Sequence, residues 1–186
     1  AKYDAGGWGA SVAVFRIAKP NAIEQDYRVS ADGEQRNQGL ELSVYGQPAG
    51  GLRVLGGLTL LDATLRRTQG GINEGNDVVG VPDVQANAGI DWDVPGVDGL
   101  TLDARAVHTG RQPARADNAL ELPSWTRFDL GTRYAFEAGG RDWTLRARVD
   151  NVFDRAYWAS TGGTAGANYL VLAAPRTVTL SISLAL

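Results

Sequence analysis

The sequence predicts an all-β protein, a transmembrane antiparallel meander β-barrel of about eight strands. Three observations predict it. Apolar and polar residues alternate with period 2 in segment after segment. Short Gly- or Pro-bearing connections alternate along the chain with long polar ones. Trp and Tyr fall near the segment ends, at Trp8, Trp92, Trp125, Tyr134 and Trp143, where interfacial girdles of a barrel would lie.

The segments follow in order. Residues 8–17 are strand-like. QGLELSVYG places Leu40, Leu42 and Val44 on one face and Glu41, Ser43 and Tyr45 on the other. Residues 52–66 are again strand-like, with a phase slip near Leu60–Leu61. DVQANAGIDWDV sets Val84, Ala86, Ala88, Ile90, Trp92 and Val94 against Asp83, Gln85, Asn87, Asp91 and Asp93. LTLDARAVH opposes Leu100, Leu102, Ala104 and Ala106 to Thr101, Asp103 and Arg105. TRFDLGTRYAF opposes Phe128, Leu130, Tyr134 and Phe136 to Arg127, Asp129 and Arg133. DWTLRARVD opposes Trp143, Leu145, Ala147 and Val149 to Thr144, Arg146, Arg148 and Asp150. The last, RTVTLSISLAL, alternates Val178, Leu180, Ile182, Leu184 and Leu186 with Thr and Ser.

The short turns are QPAGG, VPGVDG and EAGGR, and the long polar stretches cover 18–35, 67–81, 111–120 and 153–174. In an antiparallel meander alternate connections lie at the same end, so one rim carries tight turns and the other long loops. That sorting is the habit of an outer-membrane barrel. About 11 residues at ~3.3 Å each, tilted about 45°, rise roughly 25 Å, the height of its apolar band. Charged residues on the polar phase then line the lumen, where mixed signs pair between neighbouring strands. A soluble β-sandwich binding module would use the same phase as its water face, so alternation leaves both open and the loop sorting favours the membrane.

Composition narrows the function classes. A net charge of −3 provides no basic field for nucleic acid. With 0 Cys, disulfides and thiolate metal sites are excluded. The first residues, AKYDAGGWGAS, have neither the basic nor the apolar region of a signal peptide, so a processed chain or a piece of a longer one is expected. No run approaches the roughly 18 apolar residues of a membrane helix, a test blind to strands.

QGLELSVYG, GLTLLDATL leading into a Gly-rich loop, and VPDVQANAGIDWDV resemble the barrel of TonB-dependent outer-membrane receptors. RVDNVFDRAYW followed by YLVLAAPRTVTLSISLAL is the most specific part. It is similar to the end of the siderophore-receptor branch, with Asn151, Phe153, Asp154 and Tyr157 matching one motif and Pro175, Arg176 and Val178 a second. The resemblance implies a C-terminal segment, roughly the last third, of a plugged barrel of about 22 strands. Residues 1–186 would be that segment, with the plug domain and TonB box absent. It further implies an outer-membrane location in a Gram-negative bacterium and TonB-dependent uptake of a ferric siderophore. The TonB–ExbB–ExbD system would be engaged through the missing N-terminal part. Outer-membrane lipids and the barrel-assembly machinery are the other implied partners, with no nucleic acid, no cofactor and iron only within its ligand. The chain ends in Leu186 where family members usually end in an aromatic residue read by that machinery. Drawn alone, such a piece is expected to form a curved open sheet or a small closed barrel, with edges at its first and last strands.

Ligand contact in this family implicates the long-loop side. Arg supplies charge-assisted forks and aromatics stack on planar rings, which makes Arg111, Arg115, Tyr157, Trp158 and Tyr169 the candidates for an anionic or catecholate ferric ligand. Against each stands simple loop packing or solvent exposure. The 1 His, His108, lies on the apolar phase near an outer strand end and makes no metal site by itself. GGINEGNDVVG (70–80) is a single imperfect echo of a calcium repeat, and TGGTAGAN (161–168) has no Gly-Lys-Ser/Thr and no following helix. No Ser/His/Asp set assembles, so an enzymatic barrel is the runner-up class without a catalytic constellation. A stand-alone small barrel with a structural or adhesive role is the alternative to the receptor reading.

Overall fold

The computed structural model describes residues 1–25, 27–164 and 167–185. Leu186 and the central 165–166 of TGGTAGAN, on which expectations were placed, lie outside the described residues.

The chain folds as β1 (Lys2–Asp4), β2 (Trp8–Gln25), β3 (Arg28–Ala49), β4 (Leu52–Arg67), β5 (Val84–Asp93) and β6 (Leu100–Thr109). These are followed by β7 (Gln112–Pro113), β8 (Glu121–Leu122), β9 (Trp125–Ala138), β10 (Arg141–Asp150), β11 (Trp158–Thr164), β12 (Ala167–Leu172) and β13 (Thr177–Leu184). A 9-stranded antiparallel sheet runs β1-β2-β3-β4-β5-β6-β9-β10-β13. Its long members are the segments read from alternation, and β1 is a short addition at one edge. The remaining strands form two small ribbons, β7 with β8 and β11 with β12, inside the long connections. The sheet is open among the described residues, with β1 and β13 as its edges.

Connections sort by end as expected. β3 turns into β4 at 50–51, β5 into β6 at 94–99 and β9 into β10 at 139–140. The last is a two-residue hairpin whose Gly139 and Gly140 both have positive φ, 64° and 70°, the turn that matches the twist of the flanking strands. One expectation fails at the other end. Residues 18–35 are no loose loop: β2 and β3 continue as a paired ribbon out to Gln25 and Arg28. The reason is that this polar stretch alternates too, and antiparallel pairing satisfies its backbone groups.

Register shows what each face carries. Val149 lies between Leu130 and Val178, Leu145 between Tyr134 and Ile182, and Ala104 between Ile90 and Leu130. Among the described residues no second layer covers this apolar face: Val14 is 82% exposed and Leu180 75%, whereas Asp129 on the opposite face is 0% exposed. A water-soluble sheet buries its apolar side and solvates its charges. This sheet leaves its apolar side bare and gathers paired charges on the other, as a lipid-facing wall does.

The phase slip at Leu60–Leu61 has its cause in the faces of the sheet rather than in its pairing. β4 stays in register with β3 there, and the irregularities fall elsewhere, at Glu34/Gln35 and Gly46/Ala49. What changes is the chemistry of the faces. Val14, Leu40, Leu60 and Val84 form the last apolar row, and the next row on that face is Arg16, Gln38 and Asp62. On the other face Phe15 and Leu61 flank Gly39, and Ala63 is buried. The outward side thus turns polar where the strands leave an apolar band, while the inner side begins to pack against the loops.

A depth-dependent mutational response is expected from this belt. Leu130→Arg should lower barrel stability by ~2 kcal/mol, and Gln38→Arg, above the belt, by about zero. Urea unfolding of the reconstituted full-length protein measures both, and equal costs at the two sites would refute the assignment.

Candidate functional site

The polar face carries two ion clusters. In the upper one Arg127 of β9 contacts Asp129 with Nε–Oδ1 and Nη2–Oδ2 both at 3.0 Å. Arg148 of β10 lies 3.6 Å from Asp129, 3.2 Å from Asp103 of β6 and 2.8 Å from Asp150. Asp103 and Arg148 sit two strands apart, with Gly131 of β9 directly between them. A Cβ at Gly131 would meet the Asp103 carboxylate, so the bare position is what lets the pair cross the strand. Gly131→Val is expected to separate Arg148 from Asp103 and cost about 1–3 kcal/mol, as overpacking does. The same substitution in an Asp103→Asn background should cost measurably less.

The lower cluster lies near the tight turns. Arg53 of β4 donates to both oxygens of Asp93 at 2.7 Å, with Asp91 at 3.6 Å. Thr101 Oγ1 donates to Asp93 at 2.7 Å and receives Arg133 Nη2 at 3.0 Å. Arg133 faces Arg146 across the β9–β10 ladder.

At the long-loop end NVFD ends β10 in a tight turn. The Asp154 N–H donates to the Asn151 carbonyl at 2.8 Å, and Asn151 and Asp154 have φ of 54° and 51°. Both are residue types that tolerate the left-handed region. The Asn151 N–H donates to Asp129 Oδ1 at 2.9 Å. Its Nδ2 donates to the carbonyls of Arg155 and Ala174 at 3.0 and 3.2 Å, and its Oδ1 accepts the Arg155 N–H at 2.9 Å. Asp154 Oδ1 accepts the Arg176 N–H at 2.8 Å, and the Val152 N–H reaches the Phe128 carbonyl at 2.9 Å. Phe153 packs edge-on against Phe128 at 5.6 Å. The two motifs, Asn151 to Tyr157 and Pro175–Arg176, are therefore one clamp joining the ends of β9 and β10 to the entry of β13.

The candidate ligand residues fall into separate places. Arg111 and Arg115 belong to the 110–124 connection, paired with Glu121 at 3.4 Å and Asp117 at 2.6 Å. That connection is stitched to 68–83: Asp77 and Asn118 exchange bonds of 2.8 and 3.0 Å, and the Gly80 N–H reaches the Pro113 carbonyl at 2.9 Å. Trp158 opens β11 opposite Leu172, and Tyr169 on β12 lies opposite Gly162, both exposed.

Tyr157 instead stacks on Trp125 with ring centroids 4.2 Å apart. This corrects the placement of Trp125 in the lipid-facing girdle. It shares the polar phase with Arg127 and Asp129, pairs with Thr109 and is buried. Counting parity back from Arg127 shows this in the sequence; proximity to a strand end does not. Asp129 was legible only as one lumen charge among many, and its complete burial was not. His108 does lie on the apolar phase near the outer end of β6, its Nδ1 2.9 Å from Thr126 Oγ1. Among the described residues no three of His, Asp and Glu gather as a ligand set for a metal ion.

Residues 1–152 match the family model described as TonB dependent receptor-like, beta-barrel. The chain is 37% identical over 185 residues to the ferrichrome receptor FcuA of Yersinia enterocolitica, covering 98% of this chain and 24% of that protein. It is 28% identical over 187 residues to the metal-pseudopaline receptor CntO of Pseudomonas aeruginosa, covering 96% of this chain and 25% of the relative. The crystal structure of BauA, the ferric preacinetobactin receptor of Acinetobacter baumannii, superposes with a TM-score of 0.89 at 35% identity, over 98% of this chain and 28% of that one. The chain thus spans about a quarter of the length of the curated relatives it matches. With a membrane-type inside-out sheet, tight turns and long loops at opposite rims, and a family match over most of its length, the chain belongs to the TonB-dependent receptor-like β-barrel family.

Proposed function

We propose that residues 1–186 are the C-terminal segment of a Gram-negative outer-membrane receptor that takes up a ferric siderophore by TonB-dependent transport. The observation that carries the reading is similarity over almost the whole chain to proteins named as ferrichrome and ferric preacinetobactin receptors. In this reading the segment is barrel wall, and the plug, the TonB box and the contacts with the TonB–ExbB–ExbD system belong to the remaining length of the protein. The protein binds and passes its ligand without catalysing a bond change, holds no resident cofactor, and meets iron only inside the siderophore.

Among the five candidates, Arg111, Arg115, Trp158 and Tyr169 stand on the long-loop side and are exposed, the condition for ligand contact. Tyr157 acts through its stack on Trp125, holding the β10–β11 connection against the wall. Deleting the full-length gene should abolish growth on at least one ferric siderophore as sole iron source, and the wild-type gene should restore it. Radioiron uptake should collapse when the proton-motive force is dissipated. Unchanged uptake of every ferric siderophore tried, from hydroxamate to catecholate classes, would remove the reading. At the residue level, Arg115→Ala combined with Trp158→Ala should weaken ligand binding about tenfold or more, while heat-modifiable migration of the barrel stays unchanged.

A further inference from the structure

The tip of the 110–124 connection is held to the barrel wall almost entirely by one side chain. The base of that connection is secured by the β7–β8 ribbon, by the Gly80 N–H donating to the Pro113 carbonyl at 2.9 Å and by Arg155 Nη2 donating to the Ser124 carbonyl at 3.3 Å. Beyond Ala114, whose N–H reaches the Leu120 carbonyl at 2.7 Å, residues 115–120 are all exposed except Asn118, which is half-buried. Among the described residues three hydrogen bonds tie this tip to the rest of the molecule, and two of them belong to the Asn118 amide. Its Oδ1 accepts the Asp77 N–H at 2.8 Å, and its Nδ2 donates to the Asp77 carbonyl at 3.0 Å. The third runs from Asn76 Nδ2 to the Ala116 carbonyl at 2.9 Å.

Asp77 is a fixed partner. The Leu65 N–H donates to the Asn76 carbonyl and the Val78 N–H to the Ala63 carbonyl, both at 2.9 Å, so 76–78 lies along the end of β4. In the other direction Asn118 closes the turn that carries Arg115. Its N–H and its Nδ2 donate to the Arg115 carbonyl at 3.0 and 3.2 Å, and its φ of 55° is one that asparagine tolerates. Within the turn Asp117 accepts Arg115 Nη2 at 2.6 Å and the Ala119 N–H at 3.1 Å, which sets the guanidinium relative to the turn. Asn118 then sets the turn relative to the wall. A tip with its side chains in water owes its order to such bonds, and a binding group fixed before contact spares the ligand the cost of ordering it. Resting on the ligand role proposed above for Arg115, we infer that Asn118 is a positioning residue of the ligand site, holding the Arg115 turn against β4 through Asp77. The connections 68–83 and 110–124 then present one preorganised surface to an anionic ligand.

The test uses the full-length protein in detergent, with ferric enterobactin, a catecholate, and ferrichrome, a hydroxamate, as probes. Hydrogen exchange of the ligand-free protein reads the lock, and quenching of tryptophan fluorescence on titration reads affinity. Asn118→Ala should raise exchange at Asp77 and across 115–119 about tenfold, and weaken binding of the probe that the wild type takes by about fivefold. Asn118→Gly, which frees the backbone but loses the same bonds, should match alanine. Asn118→Asp, which keeps the acceptor for the Asp77 N–H, should fall between alanine and wild type. Because Asn118 acts through Arg115, Arg115→Ala with Asn118→Ala should bind no more weakly than Arg115→Ala alone. Uptake by cells carrying Asn118→Ala should need a higher half-saturating concentration, with the maximal rate and heat-modifiable migration as in wild type. Asn73→Gly, at another left-handed position of the 68–83 connection, φ 62°, should change neither exchange at 115–119 nor affinity. Unchanged exchange or unchanged affinity in Asn118→Ala, or losses that add in the double variant, would each overturn the inference. Arg115→Ala binding as tightly as wild type, or wild type binding neither probe, would instead overturn the ligand role on which it rests.

Discussion

Asp129→Ala is expected to lower the stability of the full-length barrel by ~3–5 kcal/mol, the range for removing one partner of a buried ion pair. Asp129 is 0% exposed and holds three groups at once: Arg127, Arg148 and the Asn151 N–H. Truncation leaves guanidinium charge and a backbone donor without their acceptor on a desolvated wall, and an orphaned buried donor alone costs about 1–3 kcal/mol. Asp129→Asn separates the two contributions, since the amide oxygen still accepts from Asn151 while the charge is lost. The asparagine variant should therefore fall between wild type and alanine. Urea unfolding in vesicles, followed by heat-modifiable migration, reads the series. An alanine variant within about 1 kcal/mol of wild type would mean that the cluster is solvated in the complete barrel.

Asn151→Ala is expected to cost about 3 kcal/mol, because two separate requirements fail together. The position is in the left-handed region at φ 54°, which costs an ordinary residue roughly 1–2 kcal/mol. Its amide also ties Arg155 and Ala174 to the end of β10 through three hydrogen bonds. Asn151→Gly relieves the backbone and loses the bonds. Asn151→Asp keeps the acceptor for the Arg155 N–H and loses the donors. Both should lie between wild type and alanine. Because the clamp holds the entry of β13, the loss should also raise protease cleavage within 151–176 before global unfolding. Alanine as stable as glycine would show that backbone conformation is not part of the cost.

Much of the architecture was legible because a strand's side chains alternate strictly, so a wall between lipid and lumen writes its two environments into odd and even positions. Leu145, Ala147 and Val149 against Arg146, Arg148 and Asp150 could be assigned by parity alone, and the ladder places them so. Loop length sorted the ends for a similarly local reason, since an antiparallel meander returns to the same rim at every second turn. The motif residues identified the family, yet their work was not local. Asn151 serves Asp129 from 22 positions away and Ala174 from 23, distances along the chain that only pairing of β9, β10 and β13 removes.

The same limit explains the misreadings. Residues 18–35 look like a loop by composition, but backbone pairing depends on what lies opposite, and β2 and β3 supply each other out to the tip. The slip at Leu60–Leu61 carried no cause in the sequence and is a boundary between solvents, visible only when Val14, Leu40 and Leu60 line up as one row. Trp125 looked interfacial by its place near a strand end and turned out to be stacked on Tyr157 over the polar face. Sequence by itself determined which residues face lipid and which face the lumen, because that choice is made by each side chain's own solvation. Tertiary structure decided which charges are buried, which arginines are already paired and which donors remain free, because those depend on neighbours that register, not sequence order, brings within a few ångströms.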